Sequence, residues 1–588
     1  MRSPLLLLFS IFTCSVFAQN KLQTAPEPRW VTNYQYNQPS DTLGSANGYA
    51  YLLISFQKNL ESDEYYYRYV MKVVSEQGLS VVSSVNESFD PSYQKLVFHT
   101  LKITRDGKII DKLDPNKFEV IRREEDLSRA IYDKSLNAIY NLPDVRVGDI
   151  VEYSFTLKGF NPAFGKHRFG KFYFQYGLPV AKFAHRVVAS NDRPLAFKEF
   201  GGCQPFVKTT EGKLNVFEKI VENVPAVLED DALPSWYDPY AKIQFSDFQS
   251  WSELKQWALN LYQHDPKTKK ELQHVVDRIQ ASGGSMEDKV KEAIRIAQGD
   301  IRYLSFSDGI HGYKPHSPAQ VYEQKYGDCK DKSFLLSFLL NQIGIESYPA
   351  LVSTDYGRTL KEVLPNPWAF NHCIVQFIAH DSAYWIDPTM NAQVGTLKSY
   401  FIPSYEYALV INSKANELDS IPFGYKDSRI EVLEEYAMDA FGIDVRLKVE
   451  TRYYGDEAEE MRSYFLRNTT QEINKNFVNF YSSDYSKISL VGDVTYQDDK
   501  LANVIITHEE YLVKNFWTYD EKNGETASIY ARVLSTYLKK PETKLRTMPL
   551  KVVHPTEIYQ TIKIYLPEEI NSEDYNNEIE SDGFIFRA

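Results

Sequence analysis

Three residues in chain order have the side chains of a nucleophile, a base and an orienting acid: Cys329, His372 and Asp387. Cys329 lies in "YGDCKDKSFLL", two residues past a glycine and between two aspartates, where an apolar helix-like run begins. The N–H groups and dipole at a helix start favour an anion. A thiolate there is stabilised relative to an ordinary cysteine, whose pKa is ~8.5. A buried structural cysteine opening a helix is the competing reading. His372 opens the strand "HCIVQFIA", and "HDS" turns the chain back into "AYWIDPT". With a two-residue loop at His380-Asp381, residue 374 pairs with 387, and Asp387 shares a face with His372, close enough to orient the ring. With a three-residue loop Asp387 falls on the face of Cys373 instead. The plainer readings are a core histidine and an Asp-Pro turn former.

Other candidates are weaker. His311 and His316 lie in a Gly- and Pro-rich loop without an acidic or cysteine partner at metal-ligand spacing, so they read as loop structure. Asp331, in the first helical turn, is explained by the dipole. Strand alternation turns Cys373 away from His372, into packing. Cys203, in "GGCQP", reads as a turn residue. For an oxyanion the Cys329 N–H is one candidate donor, with Tyr303 or Gln324 as a second.

These residues need a scaffold. "WSELKQWALNLYQH" has helical spacing from a cap at Ser252, and "SMEDKVKEAIRIAQ" opens with Ser285 and Asp288 at capping-box spacing. The helix after Cys329 runs to Gly344, placed as a C′ glycine. Then come "ESYPALVS", "FNHCIVQFIA" and "AYWIDPT", so helices followed by antiparallel strands predict an α+β core. Residues about 50 to 220 read as strands, with an Asp106-Gly107 hairpin turn, and the Pro- and Asp-rich 223–242 reads as a linker. Strands dominate again from about 401, interrupted by one helix-like stretch, "DEAEEMRSYFLRNTTQEINKNF". The chain stops inside an apparent strand, "FIFRA", so the last sheet reads as incomplete.

The 588 residues suggest three or four domains at ~100–200 residues each. With 43% hydrophobic and 25% charged residues the balance is globular, and 42 tyrosines with 34 phenylalanines lean it toward β structure. A net charge of −13 without a basic cluster argues against nucleic acid or an anionic membrane as partner. The opening "MRSPLLLLFSIFTCSVFAQN" reads as a secretory signal peptide cut after Ala18. Thr13 and Phe12 fit lipid attachment at Cys14 poorly. No other segment is apolar enough to span a membrane, so the expectation is an exported chain, periplasmic or extracellular. Cys203, Cys329 and Cys373 form no disulfide framework or metal set, and no calcium-loop pattern occurs.

"YGDCKDKSFLLSFLLNQIGIESYPALVS", then "FNHCIVQF", then "YWIDPT" resemble the transglutaminase-like (papain-fold) superfamily in their Gly-x-Cys, His and Asp-Pro-Thr order. "IRYLSFSDGIHGYKPHSPAQVYEQ" is similar to the approach to that cysteine in secreted bacterial members. The resemblance covers about 250 to 400, and the β-rich segments on either side resemble uncharacterised domains fused to such cores. It implies Cys329 as nucleophile, His372 as base and Asp387 as orienting acid, with no cofactor. One departure is Cys373, where members often carry an aromatic after the histidine.

The expected fold is therefore α+β and multidomain, a papain-like transglutaminase core flanked by two β-sandwich domains. The expected division is 1–18 signal peptide, 19–235 β-sandwich, 236–400 core and 401–588 C-terminal β-rich domain. The expected function is acyl transfer through a thioester on a protein or peptide substrate, with amide-containing glycan or peptidoglycan-type material as a further candidate. Water as acceptor would make an amidase or peptidase, and an amine would make a transglutaminase. The alternative is a secreted binding or scaffold protein that uses its β-sandwiches.

Overall fold

A computed structural model describes residues 22–36, 47–122, 131–132, 134–306, 309–390, 393–414, 417–422, 428–522, 524–554, 556–569, 578–581 and 584–587. The expected signal peptide and Cys14 lie outside the described residues. The chain is mixed α/β, β-rich, with several sheets. It divides into two compact units, one built from 1–389, 405–422 and 546–549, the other from 390–404, 423–545 and 550–588. No described helix is long and apolar enough to cross a membrane.

The first unit begins with a sheet of nine strands among the described residues, in which Ile150–Lys158, Glu64–Val73, Tyr49–Asn59 and Val180–Ser190 lie side by side at the centre. Period-2 alternation sorts its faces. Tyr65, Tyr67, Tyr69, Met71 and Val73 point one way, into two apolar clusters, while Val70 packs on the opposite face with Tyr34 and Leu53. A register shift between Tyr51 and Leu53 keeps Tyr51 and Ile54 on the same side, where uninterrupted alternation would separate them. Two three-stranded sheets supply the partners for this face, Val85 and Tyr140 in one cluster and Phe172 and Phe245 in the other. Asp106 and Gly107 form the expected two-residue hairpin turn, both with positive φ (49° and 76°), between Arg105 and Lys108.

Helices follow. Trp251–Leu261 is capped by Ser250, whose hydroxyl accepts from the Glu253 N–H at 3.1 Å, so the expected cap at Ser252 is displaced by two residues. Glu253 decides this: its carboxylate accepts from the Gln249 N–H at 2.7 Å and closes the turn one step earlier. Ser285 and Asp288 form the expected capping box of Met286–Arg295.

The helix Cys329–Gln342 is central. Eleven of its fourteen residues are buried, five of them polar or charged, so it is enclosed nearly all round and packs on several neighbours at once. Each of its buried leucines contributes roughly 2 kcal/mol of apolar transfer. It ends in a Schellman arrangement, with Gly344 at φ 87°, its N–H on the Asn341 carbonyl (3.2 Å) and the Ile345 N–H on that of Leu340 (3.0 Å). The helix lies on an antiparallel sheet ordered Ser382–Ile386, His372–Ala379, Ser347–Val352, Tyr407–Val410, Asp419–Ser420. Two of these strands come from beyond residue 400.

The second unit holds a six-stranded sheet among its described residues, with Val504–Val513, Val445–Tyr454 and Arg429–Ala437 at its centre. The helix-like stretch expected there as one element is two helices, Asp456–Arg467 and Thr470–Ser482. Thr469 breaks it, because its side chain caps the second helix in a box with Glu472. The final strand Phe584–Arg587 pairs with Glu578–Ser581.

Candidate active site

Asp328 is the N-cap of the Cys329–Gln342 helix and forms a capping box with Asp331. Cys329 is therefore the first helical residue, where backbone N–H groups lack partners within their own helix. Asp331 does a second job: it accepts from the His316 N–H at 2.8 Å and lies 3.1 Å from His316 Nδ1. The His316 ring stacks on His311, centroids 4.3 Å apart, which agrees with the reading of this pair as loop structure. Asp328 is paired with Lys330, and both are buried.

The two-residue loop is the one that forms. Ala379 pairs with Ser382 and Val375 with Ile386, with His380 and Asp381 both at positive φ (49° and 56°) between the strands. Continued by one step, that register sets residue 374 opposite Asp387 and leaves Asp387 on the face of His372. The side chains meet: His372 Nε2 lies 2.7 Å from Asp387 Oδ2. Cys329 lines the same cleft as His372, and its side chain adds to the electrostatics of the ring.

The electrostatics follow from burial and pairing. Burial alone would lower the His372 pKa, but the charge and hydrogen bond of Asp387, with the Cys329 side chain, hold it well above the ordinary imidazole value. Burial alone would raise the Asp387 carboxyl. The charge and hydrogen bond of His372, with the Thr389 N–H (2.8 Å) and hydroxyl (2.7 Å), hold it below the usual range. Asp387 is 2% exposed, so these bonds act without competing water.

Two contributors were not singled out in the sequence. Tyr405 is buried, donates to Asp387 Oδ2 at 3.0 Å, and holds its ring 5.7 Å from that of His372. It reaches the site from beyond residue 400, and nothing in its local sequence marks it. Lys332 is fully buried on the Cys329 helix and donates to the Ile301 carbonyl at 2.8 Å. Burial lowers its pKa to about 8, partly offset by the Asp387 charge. The available signal was its place in "CKDKSFLLSFLL", one residue before a continuous apolar and small-residue run.

Cys373 is 1% exposed, takes the Tyr262 hydroxyl at 3.6 Å, and has its thiol pushed up to about 12 by burial, which fits packing. Cys203, Cys329 and Cys373 are all free thiols. Gln324 donates to the Tyr326 carbonyl at 2.9 Å. No group of three or more metal-ligating side chains occurs among the described residues. Cys329 and His372 open into a cleft of about 580 Å3 that Tyr303 also lines.

Comparison with known proteins adds the following. Residues 61–227, less than half of the chain, match the family described as "Domain of Unknown Function with solved-structure structure (DUF3857)". No curated protein matches the chain. A solved structure from Parabacteroides distasonis ATCC 8503, described as a "putative protease", is similar over 80% of this chain and 94% of its own, with 13% identity and a TM-score of 0.55. That likeness is one of fold. A "putative cysteine protease" from Cytophaga hutchinsonii aligns over 38% of this chain and 75% of its own at 12% identity, with a TM-score of 0.19, too low to carry an argument.

Proposed function

We propose that the chain is an exported, thiol-dependent acyl-transfer enzyme acting on amide or peptide bonds of a protein or peptide substrate. The supporting observation is the arrangement in one cleft: Cys329 at a helix start and His372 line it together, and His372 Nε2 lies 2.7 Å from Asp387. In this reading Cys329 Sγ attacks the carbonyl carbon and the oxygen takes up negative charge. The C–N bond then breaks as His372 gives its proton to the leaving amine, and a thioester remains. Asp387 keeps the ring aligned and its charge compensated. Water activated by His372 then releases the acid, or an amine takes the acyl group. The fold shared with a protein described as a "putative protease" supports the peptidase branch.

The architecture we attach to this reading is a papain-like, transglutaminase-type core between two β-sandwich segments. The division is 19–235 with the added strand at Lys242–Ser246, 236–400 with the added strands at Tyr407–Val410 and Asp419–Ser420, and the remainder as the C-terminal segment, after a signal peptide at 1–18. The mechanism calls on no cofactor, because the nucleophile belongs to the chain.

The test is mass spectrometry of a Gln-containing peptide library incubated with the protein, with and without a primary amine. Cleavage, deamidation and amine incorporation leave different mass changes, and each should vanish in Cys329→Ala. Equal product from Cys329→Ala, or none from either protein, would overturn the reading and leave the chain as a binding protein.

A further inference from the structure

The cleft at Cys329 is not built by the central segment alone. Part of its lining comes from the turn at 88–94, within the segment matched to the domain of unknown function, and includes Phe89 and Tyr93. Both rings are partly exposed into the space that Cys329 and His372 open onto. Side-chain bonds to one glycine hold two loops of the matched segment against the central segment. Asp90 Oδ2 accepts from the Gly309 N–H at 3.2 Å, and Asn161 Nδ2 donates to the Gly309 carbonyl at 2.7 Å. Gly309 has φ 52°, and a Cβ there would lie 3.0 Å from Ser92 Oγ, so a side chain would be both strained and crowded. A third bond runs from Trp257 Nε1 to the Ala163 carbonyl at 2.8 Å. From Gly309 the chain leads to His316, which grips Asp331 in the first turn of the Cys329 helix. The matched segment is thus anchored, through a few bonds, to the loop that braces the nucleophile.

The lining chemistry narrows what this wall can hold. Besides Phe89 and Tyr93, the lining takes Trp257, Tyr303, Tyr313 and Phe370 from the central segment. The charged groups in the lining are already engaged. Asp90 Oδ1 accepts the Ser92 N–H (2.9 Å) and hydroxyl (2.6 Å), Asp328 is paired with Lys330, and His372 with Asp387. An aromatic cleft whose charges are satisfied gains most from desolvating flat apolar groups, and gains little from a charged side chain.

The geometry points to a substrate subsite formed by Phe89 and Tyr93 of the upstream β-rich segment, which selects peptides carrying an aromatic or large apolar side chain next to the carbonyl that Cys329 attacks. This rests on the acyl-transfer reading of Cys329. It gives the upstream segment a direct part in choosing substrate and explains why its turn is fixed to the core by buried polar bonds rather than by a free linker.

The test uses two alkylating probes, N-acetyl-phenylalanyl and N-acetyl-alanyl chloromethyl ketone. The Cys329 sulfur displaces chloride from the probe's methylene carbon, forming a C–S bond, and the label is read by mass spectrometry. Each rate is divided by the same protein's rate with iodoacetamide, which is too small to span the cleft and so reports the thiol. The unmodified chain should prefer the phenylalanyl probe by about tenfold or more, the scale of a shaped apolar pocket. Tyr93→Ala and the volume-keeping Phe89→Leu should each cut that ratio severalfold. A ratio unchanged in both variants, while iodoacetamide still labels Cys329 selectively, overturns the subsite and leaves the acyl-transfer reading standing. Failure of iodoacetamide to label Cys329 in the unmodified chain overturns the acyl-transfer reading, and the subsite with it.

Discussion

The sheet beside Cys329 and the sheet of the C-terminal unit both bury carboxylates, and they do opposite things with them. Near Cys329 most acids have a cation or a strong donor set. Asp387 has His372 and Thr389, Asp331 has His316 and Lys330, and both are held below the usual carboxylate value against the pull of burial. Asp328 is the exception, raised because burial outweighs the help of Lys330. In the C-terminal unit Glu509 is pushed up to about 7 and Glu434 is also raised, both chiefly by burial. Their hydrogen-bond partners are neutral hydroxyls, Tyr511 at 2.7 Å and Thr507 at 3.3 Å on Glu509 and Tyr481 at 2.8 Å on Glu434, and among the described residues neither forms an ion pair. The same side-chain chemistry makes a charged tool in one place and a neutral packing element in the other. The neighbours decide which, at equal burial.

The largest expected effect tests whether the charged arrangement acts at all. Cys329→Ala should remove turnover, and His372→Ala should lower it by a factor on the order of 10²–10⁴ while leaving a thiol that iodoacetamide still labels, though more slowly. Turnover in either variant equal to that of the unmodified chain would show that the paired carboxylate region is no more functional than the unpaired one.

Asp387→Asn comes next, because it keeps shape and removes charge. Turnover should fall about a hundredfold, and the pH dependence of Cys329 alkylation should move in a stated direction. His372 is held above its ordinary value by Asp387, so in the unmodified chain the imidazolium persists as pH rises past ~6.5. Without the carboxylate nothing of that strength opposes burial, the proton is lost at lower pH, and the alkaline limit of the profile moves down. A profile that stays in place would mean that the pair does not set the ring's charge.

Glu509→Gln probes the opposite case. A carboxyl raised in the folded state is protonated alike in both states below its ordinary value of 4.5 and pays its full burial penalty once ionised above about 7. Stability near Glu509 should therefore fall as pH rises through that window, by about 3 kcal/mol at most. The neutral amide should flatten this dependence. Hydrogen exchange of the strand Val504–Val513 in the full chain, compared at pH 5 and pH 8, measures it. Equal pH dependence in both proteins would place the carboxyl's proton elsewhere.

Much of the site was legible in the sequence because its geometry is local. A helix start is written in Asp328 and Asp331 around Cys329, and a two-residue turn at His380-Asp381 fixes by parity which face Asp387 takes. What could not be read was non-local. Tyr405 arrives with a strand from beyond the expected core boundary, and a lone tyrosine among 42 carries no mark of its contact with Asp387. The turn with Phe89 and Tyr93 is more than two hundred residues from Cys329, and no periodicity reports that distance. The helix split at Thr469 was visible in Thr469 and Glu472 but was masked by continuous helical composition on both sides.

Tyr405 gives the smallest effect and the finest probe of the comparison, since it puts a phenol on a carboxylate in the charged region, as Tyr481 and Tyr511 do in the neutral one. There, phenols donate to Glu434 and Glu509 and leave them raised. At Asp387 the phenol shares Oδ2 with His372 Nε2 and so draws off part of the charge that the imidazolium sees. Tyr405→Phe keeps the ring beside His372 and removes one hydrogen bond, worth about 1 kcal/mol, so turnover should fall about fivefold. The carboxylate, relieved of one donor, should hold the imidazolium proton more tightly, and the alkaline limit of Cys329 alkylation should rise, opposite in sign to the shift in Asp387→Asn. A purely structural tyrosine would lower turnover or stability without moving that limit, so an unmoved pH profile in a folded Tyr405→Phe protein would reduce Tyr405 to packing.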